Sequence, residues 1–199
     1  MLSFGAFGGE IVKYIGYVLL LVGLGFIGYG SYHIWDMHKQ QEEALEKAEA
    51  KIAEAKAKDI DISSYSANYG EEVGLLVIPK LEAILPIVEG VEEDDLEKGV
   101  GHYTGTKYPG QNGQIVLSGH RDTVFRRLGE LEIGDEFIVK MPYGDFTYVI
   151  ERTKIVDADD RTVINPDIDE ELLTVTTCYP FRYVGSAPDR YIIYAKPKQ

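Results

Sequence analysis

The stretch EFIVKMPYGDFTYVIERTKIV, residues 136–156, decides the fold class because it holds two apolar runs separated by a turn signal. Val, Ile, Phe and Tyr dominate both runs, and these residue types favour β-strands. Between the runs, Tyr143-Gly144-Asp145 supplies residues that tight turns require. The stretch therefore predicts two consecutive strands. The same alternation of short apolar runs and turn residues continues through most of the chain after residue 59.

Five further apolar runs share this pattern: VGLLVIP at 73–79, AILPIV at 83–88, QIVLSG at 114–119, LLTVTTC at 172–178 and RYIIYA at 190–195. Gly, Pro, Asn and Asp separate them, as in Pro109-Gly110 and Asn112-Gly113. Many short strands separated by turn residues predict a mainly β domain, either a barrel or a sandwich. Only residues 96–103 and 123–131 have the composition of short helical turns.

The N-terminal part of the chain contains a strongly apolar segment. No Asp, Glu, Lys or Arg occurs from Tyr14 to Trp35, and at ~1.5 Å per residue a helix of this length reaches ~33 Å, enough to cross a bilayer. No small-x-small cleavage site follows it, which disfavours a cleaved signal peptide. We therefore predict a transmembrane anchor at 14–35, preceded by a short N-terminus at 1–13.

Residues 36–58 are rich in Ala, Glu, Lys and Gln, which predicts a solvated helix, the stalk, between the anchor and a domain at 59–199. Leu45, Ala48, Ile52 and Ala55 form a thin apolar stripe on that helix. Two interpretations remain open at this point. The helix is either a free spacer or packs this stripe on the domain.

Composition excludes several functions. The net charge of -13 argues against nucleic-acid binding, which needs a basic surface. The single cysteine, Cys178, excludes an intramolecular disulfide and a zinc site built on several thiolates. Cys178 is therefore either a buried structural thiol or a reactive one.

The position of Cys178 is compatible with a reactive thiol. It ends the run LLTVTT, while His120 follows the run IVLS and a glycine, so both stand at predicted strand ends. Arg190 begins the last run. A thiolate nucleophile needs a nearby imidazole as proton carrier, and the oxyanion that forms needs a fixed donor such as a guanidinium. The residues alone leave this catalytic trio as one hypothesis beside a structural thiol.

Other polar residues receive plainer interpretations. His102, the other histidine of the domain, is interpreted as a loop or wall residue, and Asp122 as a salt-bridge partner of Arg121. The acidic run Glu92–Asp95 lacks the spacing of a calcium loop and is interpreted as a solvated surface. We predict no metal site and no cofactor; calcium activation is conceivable, but the sequence does not support it.

The motifs around these residues resemble the sortase family. The segment YPGQNGQIVLSGHRDT at 108–123 is similar to the family's approach to its catalytic histidine, and Thr174–Cys178 resembles its TLxTC signature with Val175 in place of leucine. Arg190 at the start of the last strand matches the family's arginine. The resemblance covers about residues 70–196 and is greatest to class D.

This resemblance implies an eight-stranded sortase barrel and a catalytic trio of Cys178, His120 and Arg190. It implies cleavage of an LPxTG-like or LPxTA-like C-terminal sorting signal and transfer of surface proteins to an amine of a cell-wall precursor in Gram-positive bacteria. The loop after residue 156 would help to bind the signal through Val163 and Ile164, with Pro166 beside them; Thr177 is a further substrate-binding candidate.

The resemblance also implies a single-pass membrane protein with its N-terminus in the cytoplasm and its catalytic domain outside the cell. Lysine counts alone predict the reverse, since Lys13 precedes the apolar segment and Lys39, Lys47 and Lys51 follow it. We give precedence to the extracellular location of substrate and acceptor. Two other functions stay open: a membrane-tethered cysteine peptidase that only hydrolyses, and a non-catalytic adhesion or scaffold domain.

Overall fold

A computed structural model describes residues 6–55, 60–165, 167–183 and 185–198, with the main chain alone for residues 6–11. The chain divides into two units, residues 1–39 and 40–199. The first consists of most of a long helix, α1 (Ala6–Ala55), and the second contains the end of that helix and all the strands.

The second unit contains a closed barrel of eight strands. These are β1 (Glu72–Ile78), β2 (Ala83–Glu89), β3 (Val100–His102), β4 (Gln114–Ser118), β5 (Glu136–Met141), β6 (Gly144–Asp157), β7 (Leu172–Tyr179) and β8 (Asp189–Pro197). Their order around the barrel is β1-β2-β3-β4-β7-β8-β6-β5, and β5 pairs with β1 to close it. The structure confirms the eight-stranded barrel that the family resemblance implies.

Two parallel pairs, β2–β3 and β4–β7, interrupt the otherwise antiparallel barrel. Alternate residues of a strand point to opposite faces, so each strand of the wall has an inner and an outer set. On β4 the inner set is Ile115 and Leu117, and on β7 it is Leu173 and Val175; all four belong to the main core. The opposite, outer face of the same strands is therefore available for a binding surface.

The outer face of the wall carries a second, smaller core. Val156 of β6, Leu172 of β7, and Ile192 and Tyr194 of β8 form this cluster, and Val163 and Ile168 pack against it. The last two belong to the connection between β6 and β7, residues 158–171, which we call the β6–β7 loop. Apolar contacts thus place this loop across the outer face of the wall.

The apolar part of α1 satisfies, by length and composition, the requirements of a membrane-crossing helix. Its large apolar side chains are exposed, for example Leu19, Leu21 and Phe26. A helix in water rarely leaves such a surface uncovered, whereas lipid covers it naturally.

The end of α1 packs on the barrel within the second unit. Ala48 and Ile52 are buried against Leu75 of β1, with Leu45 beside them. Lys51 forms an ion pair with Glu71 and donates a second hydrogen bond to the carbonyl oxygen of Glu72 at 3.0 Å. Of the two arrangements left open for the apolar stripe, the structure has packing on the domain; the last stalk residues, 56–58, and Asp59 lie outside the described residues.

The region around residue 96 differs from the prediction. Helix α2 spans Glu93–Lys98, and residues 100–102 form a strand, so the predicted helical turn at 96–103 was wrong in its second half. The reason is the acidic run before it. The Glu92 side chain accepts the main-chain N–H of Asp95, and the Asp95 side chain accepts that of Glu92. This capping box starts the helix early, and Gly99 ends it.

Candidate active site

The ends of β7 and β8 bring two of the predicted catalytic residues together. In the antiparallel pairing of these strands, Cys178 lies directly opposite Arg190. Opposed residues of neighbouring strands have their Cβ atoms ~4.5–5.5 Å apart and project from the same face. Thr174 and Thr176 precede Cys178 on that face, which is the outer face of the wall.

The loop after β4 places His120 at the same end of the barrel. The Gly119 N–H donates to the carbonyl oxygen of Thr176 at 3.2 Å, continuing the parallel ladder by one residue. The buried Thr177 hydroxyl donates to the Gly119 carbonyl oxygen at 2.7 Å. A Cβ at residue 119 would lie 2.6 Å from the ring of Phe125, so only glycine fits here. These contacts fix the main chain immediately before His120.

A groove of about 740 Å³ on the outer face joins all the predicted site residues. His120, Cys178 and Arg190 line it together with Thr177, Val163 and Ile164. Its floor comes from outward-facing residues of β4 and β7, and the β6–β7 loop forms one side. The opposite side contains residues of α2 and its flanking segments: Val91, Glu93, Leu96 and Tyr103.

The polar groups of the trio have few partners. Glu93 faces His120, but its Oε1 lies 3.7 Å from Nε2, beyond hydrogen-bond distance. Arg190 Nη1 donates to the main-chain carbonyls of Asp189 at 3.0 Å and Ala187 at 3.3 Å. Among the described residues, no carboxylate forms a salt bridge with Arg190. Imidazole and guanidinium therefore retain hydrogen-bonding capacity for a ligand in the groove.

The predicted substrate-binding residues lie on the same surface. Val163 ends a single helical turn, Arg161–Val163, which the Asp160 side chain caps by accepting the Thr162 N–H at 2.9 Å. Pro166 lies outside the described residues. The Thr177 side chain is engaged with Gly119, and a role for this residue in substrate binding stays a prediction.

Arg121 has a role that the sequence did not reveal. We interpreted it as a salt-bridge partner of Asp122, but its guanidinium donates to the carbonyl oxygens of Tyr183 at 2.9 Å, Gly185 at 2.8 Å and Pro180 at 3.3 Å. All three acceptors belong to the connection between β7 and β8. Arg121 thus ties the loop of His120 to the segment that joins Cys178 to Arg190.

His102 lies apart from the groove in a buried polar cluster. Its Nδ1 is 2.6 Å from Glu89 Oε2 and its Nε2 is 3.0 Å from the Lys107 carbonyl oxygen. The Tyr108 hydroxyl donates to Glu89 Oε2 at 2.7 Å. Burial acts to raise the pKa of Glu89, but the hydrogen bonds from His102 and Tyr108 outweigh it and hold this pKa below its ordinary value.

The acidic run Glu92–Asp95 begins α2, and Glu92 and Asp95 form the capping box described above. The prediction of a solvated surface was wrong for Asp95, which is 3% exposed because its carboxylate caps the helix, while Glu92, Glu93 and Asp94 are exposed. Over the ranges that the structure describes, no group of three or more His, Cys, Asp or Glu side chains is arranged to hold a metal ion. The prediction that the protein uses no metal or cofactor stays a prediction.

Comparison with known proteins links this geometry to one family. The family model described as "Sortase domain" matches residues 76–198. Sortase D of Bacillus subtilis (strain 168) is 49% identical over 195 residues, which cover 92% of this chain and 98% of that protein.

Two solved structures extend the comparison. A Clostridium perfringens Sortase D5 transpeptidase is 30% identical with a TM-score of 0.68, covering 81% of this chain and 99% of that chain. The catalytic domain of B. anthracis SrtD is 43% identical with a TM-score of 0.57, covering 71% of this chain and 97% of that chain. The two share the barrel fold, and both are described as sortases of type D.

Proposed function

Because the chain belongs to the sortase family, and its similarity to Sortase D confirms the predicted class D resemblance, we propose that it is a membrane-anchored cysteine transpeptidase acting on C-terminal sorting signals. The observation that supports this most directly is the shared groove. Cys178, His120 and Arg190 line it at one end of the barrel wall, and Val163 and Ile164 line it from the β6–β7 loop.

The proposed first step is acyl transfer to Cys178. The thiolate attacks the carbonyl carbon of the Thr–Gly or Thr–Ala bond in an LPxTG-like or LPxTA-like signal. A bond forms between Sγ and this carbon as the C–N bond breaks, and His120 passes its proton to the leaving amine. Arg190, opposite Cys178 in the strand pairing, donates hydrogen bonds to the oxyanion of the tetrahedral intermediate.

The second step returns the enzyme to its starting state. A primary amine of a cell-wall precursor attacks the thioester carbonyl, His120 accepts the amine proton, and the Cys178 thiolate leaves. The new amide bond joins the surface protein to the acceptor. Half-exposure of Cys178 and His120 on an open groove suits this step, since a second large substrate must reach the same carbon.

The proposal includes the location of the protein. The apolar part of α1 would anchor it in the cell membrane as a single pass, with residues 1–13 in the cytoplasm and the catalytic domain outside. The proposed partners, surface proteins and cell-wall amines, are both outside the cell membrane. Protease treatment of intact cells should remove the domain, and its protection would favour the reverse orientation that the lysine counts predict.

Product analysis tests the chemistry. The full chain in detergent is incubated with a library of sorting-signal peptides, with and without a primary-amine acceptor, and the products are identified by mass spectrometry. Transpeptidation gives a ligated product whose yield rises with acceptor concentration. Cleavage without ligation at any acceptor concentration would identify a peptidase that only hydrolyses, and no reaction together with an unreactive Cys178 thiol would identify a non-catalytic domain.

A further inference from the structure

The side of the groove that carries Val163 and Ile164 is a loop without strand pairing, so its position depends on side-chain contacts. One of these comes from an unexpected place. Gln114, the first residue of β4, is only 4% exposed, although its side chain is an uncharged polar amide on the outer face of the wall. Buried amides of this kind are expected to have all their hydrogen bonds satisfied.

The Gln114 amide bonds to the main chain of the β6–β7 loop on both sides of Ile164. Nε2 donates to the Val163 carbonyl oxygen at 2.7 Å, and Oε1 accepts the Asn165 N–H at 2.7 Å. Nε2 also donates to Thr174 Oγ1 at 2.8 Å, which ties the amide to β7. A single side chain thus connects the loop to both parallel strands beneath it.

The chemistry of these partners favours a primary amide over a charged side chain. A carbonyl oxygen can only accept and a main-chain N–H can only donate, so residue 114 must offer a donor and an acceptor at once. Carboxylates lack the donor and ammonium groups lack the acceptor. Asparagine has both, but it is one methylene shorter and would not reach the loop from the same main-chain position.

Gln114 lies away from the reacting groups. In the parallel pairing of β4 with β7, Gln114 is opposite Leu172, whereas Ser118 is opposite Thr176 near the catalytic end. Four strand residues separate the two levels, a distance of ~13 Å. A change at Gln114 therefore acts on the substrate-binding side of the groove and leaves Cys178, His120 and Arg190 in place.

We propose that Gln114 is a positioning residue for substrate binding, which holds Val163 and Ile164 at the groove by fixing the main chain of residues 163–165. The proposal rests on the proposed function, in which the groove binds the sorting signal. It adds the residue that positions one side of that groove. Apolar contacts of Val163 and Ile168 hold the loop near the wall. The hydrogen bonds of the Gln114 amide fix which loop residues lie beside the groove.

The chain contains a matched control in Gln111. Its Nε2 donates to the carbonyl oxygens of Ile62 and Tyr65, both at 2.8 Å, and its Oε1 accepts the Tyr108 N–H at 3.0 Å. Gln111 therefore donates two hydrogen bonds and accepts one main-chain N–H, as Gln114 does, but its two acceptors lie in the segment before β1 and it does not line the groove. Replacing either glutamine by glutamate keeps the acceptor and removes the donors.

The test compares Gln114→Glu with Gln111→Glu in the full chain, with a sorting-signal peptide as substrate. For Gln114→Glu we expect KM to rise about 10-fold, the scale of one lost buried hydrogen bond, while kcat changes less than about twofold. Amide hydrogen exchange at residues 163–165 should become faster, and the Asn165 N–H should respond most where the replacement also removes its acceptor, as Gln114→Met does. For Gln111→Glu we expect unchanged KM and faster exchange near residues 62–65 only. Gln114→Met, which adds no charge, should repeat the Gln114→Glu result.

Either of two results would overturn the proposal: a KM for Gln114→Glu equal to that of the wild-type chain, or a fall in kcat at constant KM. Failure of the wild-type chain to process any sorting-signal peptide would instead refute the proposed function. Hydrogen exchange would still decide whether Gln114 holds the loop, because slow exchange at Asn165 in both Gln114 variants would exclude that role.

Discussion

The barrel carries two histidine–carboxylate pairs that differ in almost every physical respect. His102 and Glu89 are 2% and 4% exposed at their side chains, with 2.6 Å between Nδ1 and Oε2. His120 and Glu93 are 26% and 76% exposed, with 3.7 Å between Nε2 and Oε1. The first pair has further partners on both residues, whereas the second has no hydrogen bond between its members.

The difference separates a buried histidine that is fully hydrogen-bonded within the fold from a half-buried one that faces the groove. Every polar atom that His102 offers is bonded, so a proton transferred from it would leave a buried group unsatisfied. His120 has no hydrogen bond to Glu93 and lines the groove, so its imidazole is accessible to a ligand there. Position relative to the strands does not distinguish the two histidines, because His102 ends β3 and His120 closely follows β4. The motif before His120 is what separates them in the sequence.

The largest expected effect is on turnover and comes from the nucleophile. Cys178→Ala should abolish cleavage of sorting-signal peptides, since no other thiol exists in the chain. The melting temperature should stay within about 2 °C of the wild-type value, because Cys178 stands at a half-exposed strand end rather than in the core. Cleavage above the uncatalysed background by this variant would rule out the covalent mechanism.

Arg190 should show the next largest effect. Arg190→Ala is expected to lower kcat by at least about 100-fold, the typical result of losing one oxyanion donor. Arg190→Lys should recover little of the loss, since a point charge does not replace a planar fork. Steady-state kinetics and thermal unfolding are measured on the same preparations. A lowered melting temperature with normal turnover of the folded fraction would make Arg190 a structural residue.

The buried pair should show its effect on stability and not on turnover. Glu89→Leu leaves His102 Nδ1 and the Tyr108 hydroxyl without their acceptor, and we expect the free energy of unfolding to fall by about 3 kcal/mol. Denaturant unfolding measures this, and kcat per folded molecule should be unchanged. Glu93→Gln is the matched control, with no loss of stability beyond about 0.5 kcal/mol.

The pH dependence of the same variants gives a second measurement. The pKa of Glu89 is lower in the fold than its ordinary value of 4.5, so the unfolded chain takes up this proton first as the pH falls. The stabilisation is therefore complete well above pH 4.5 and is lost below it. The Glu89→Leu variant should lose less stability than the wild-type chain between neutral and acidic pH. Equal losses would show that the pair does not contribute.

The smallest effect concerns the apolar side of the groove. Replacing Val163 and Ile164 together by Ser should lower kcat/KM by about 10-fold, the scale of losing apolar pocket contacts. The change should be in KM if these residues bind the Leu-Pro part of the signal. Ile155, an exposed residue of β6, provides a control position, and Ile155→Ser should leave the kinetics unchanged. Wild-type kinetics for the double variant would locate the peptide elsewhere.

Much of the barrel follows from local sequence. The predicted runs at 136–141 and 172–178 coincide with β5 and β7 to within one residue, because apolar β-formers and strong turn residues mark both ends. Strand β3 was missed, since Val100, Gly101 and His102 are too few to show alternation and pair only through long-range contacts. Its strand state is imposed by its neighbours and not by its own propensity.

Some residues of the candidate site could likewise be predicted from the sequence, and others could not. Motifs identified Cys178, His120 and Arg190, because the chemistry restricts residue types at those positions. Arg121 and Gln114 were missed because their partners are main-chain atoms, 59 or more residues away for Arg121 and up to 51 residues away for Gln114 within the loop. Main-chain atoms carry no sequence signature, so bonds to them are visible only in the fold.

The hydrogen bond from Thr177 to Gly119 joins residues 58 positions apart, so Cys178 and His120, which follow these residues, come together through the pairing of β4 with β7. Contacts of such long range form late and slowly, because the intervening chain must first be confined. Before β4 and β7 pair, the chain therefore does not hold the thiol and the imidazole at one end of the barrel. Under the proposed function, the reactive arrangement would exist only once the barrel has closed.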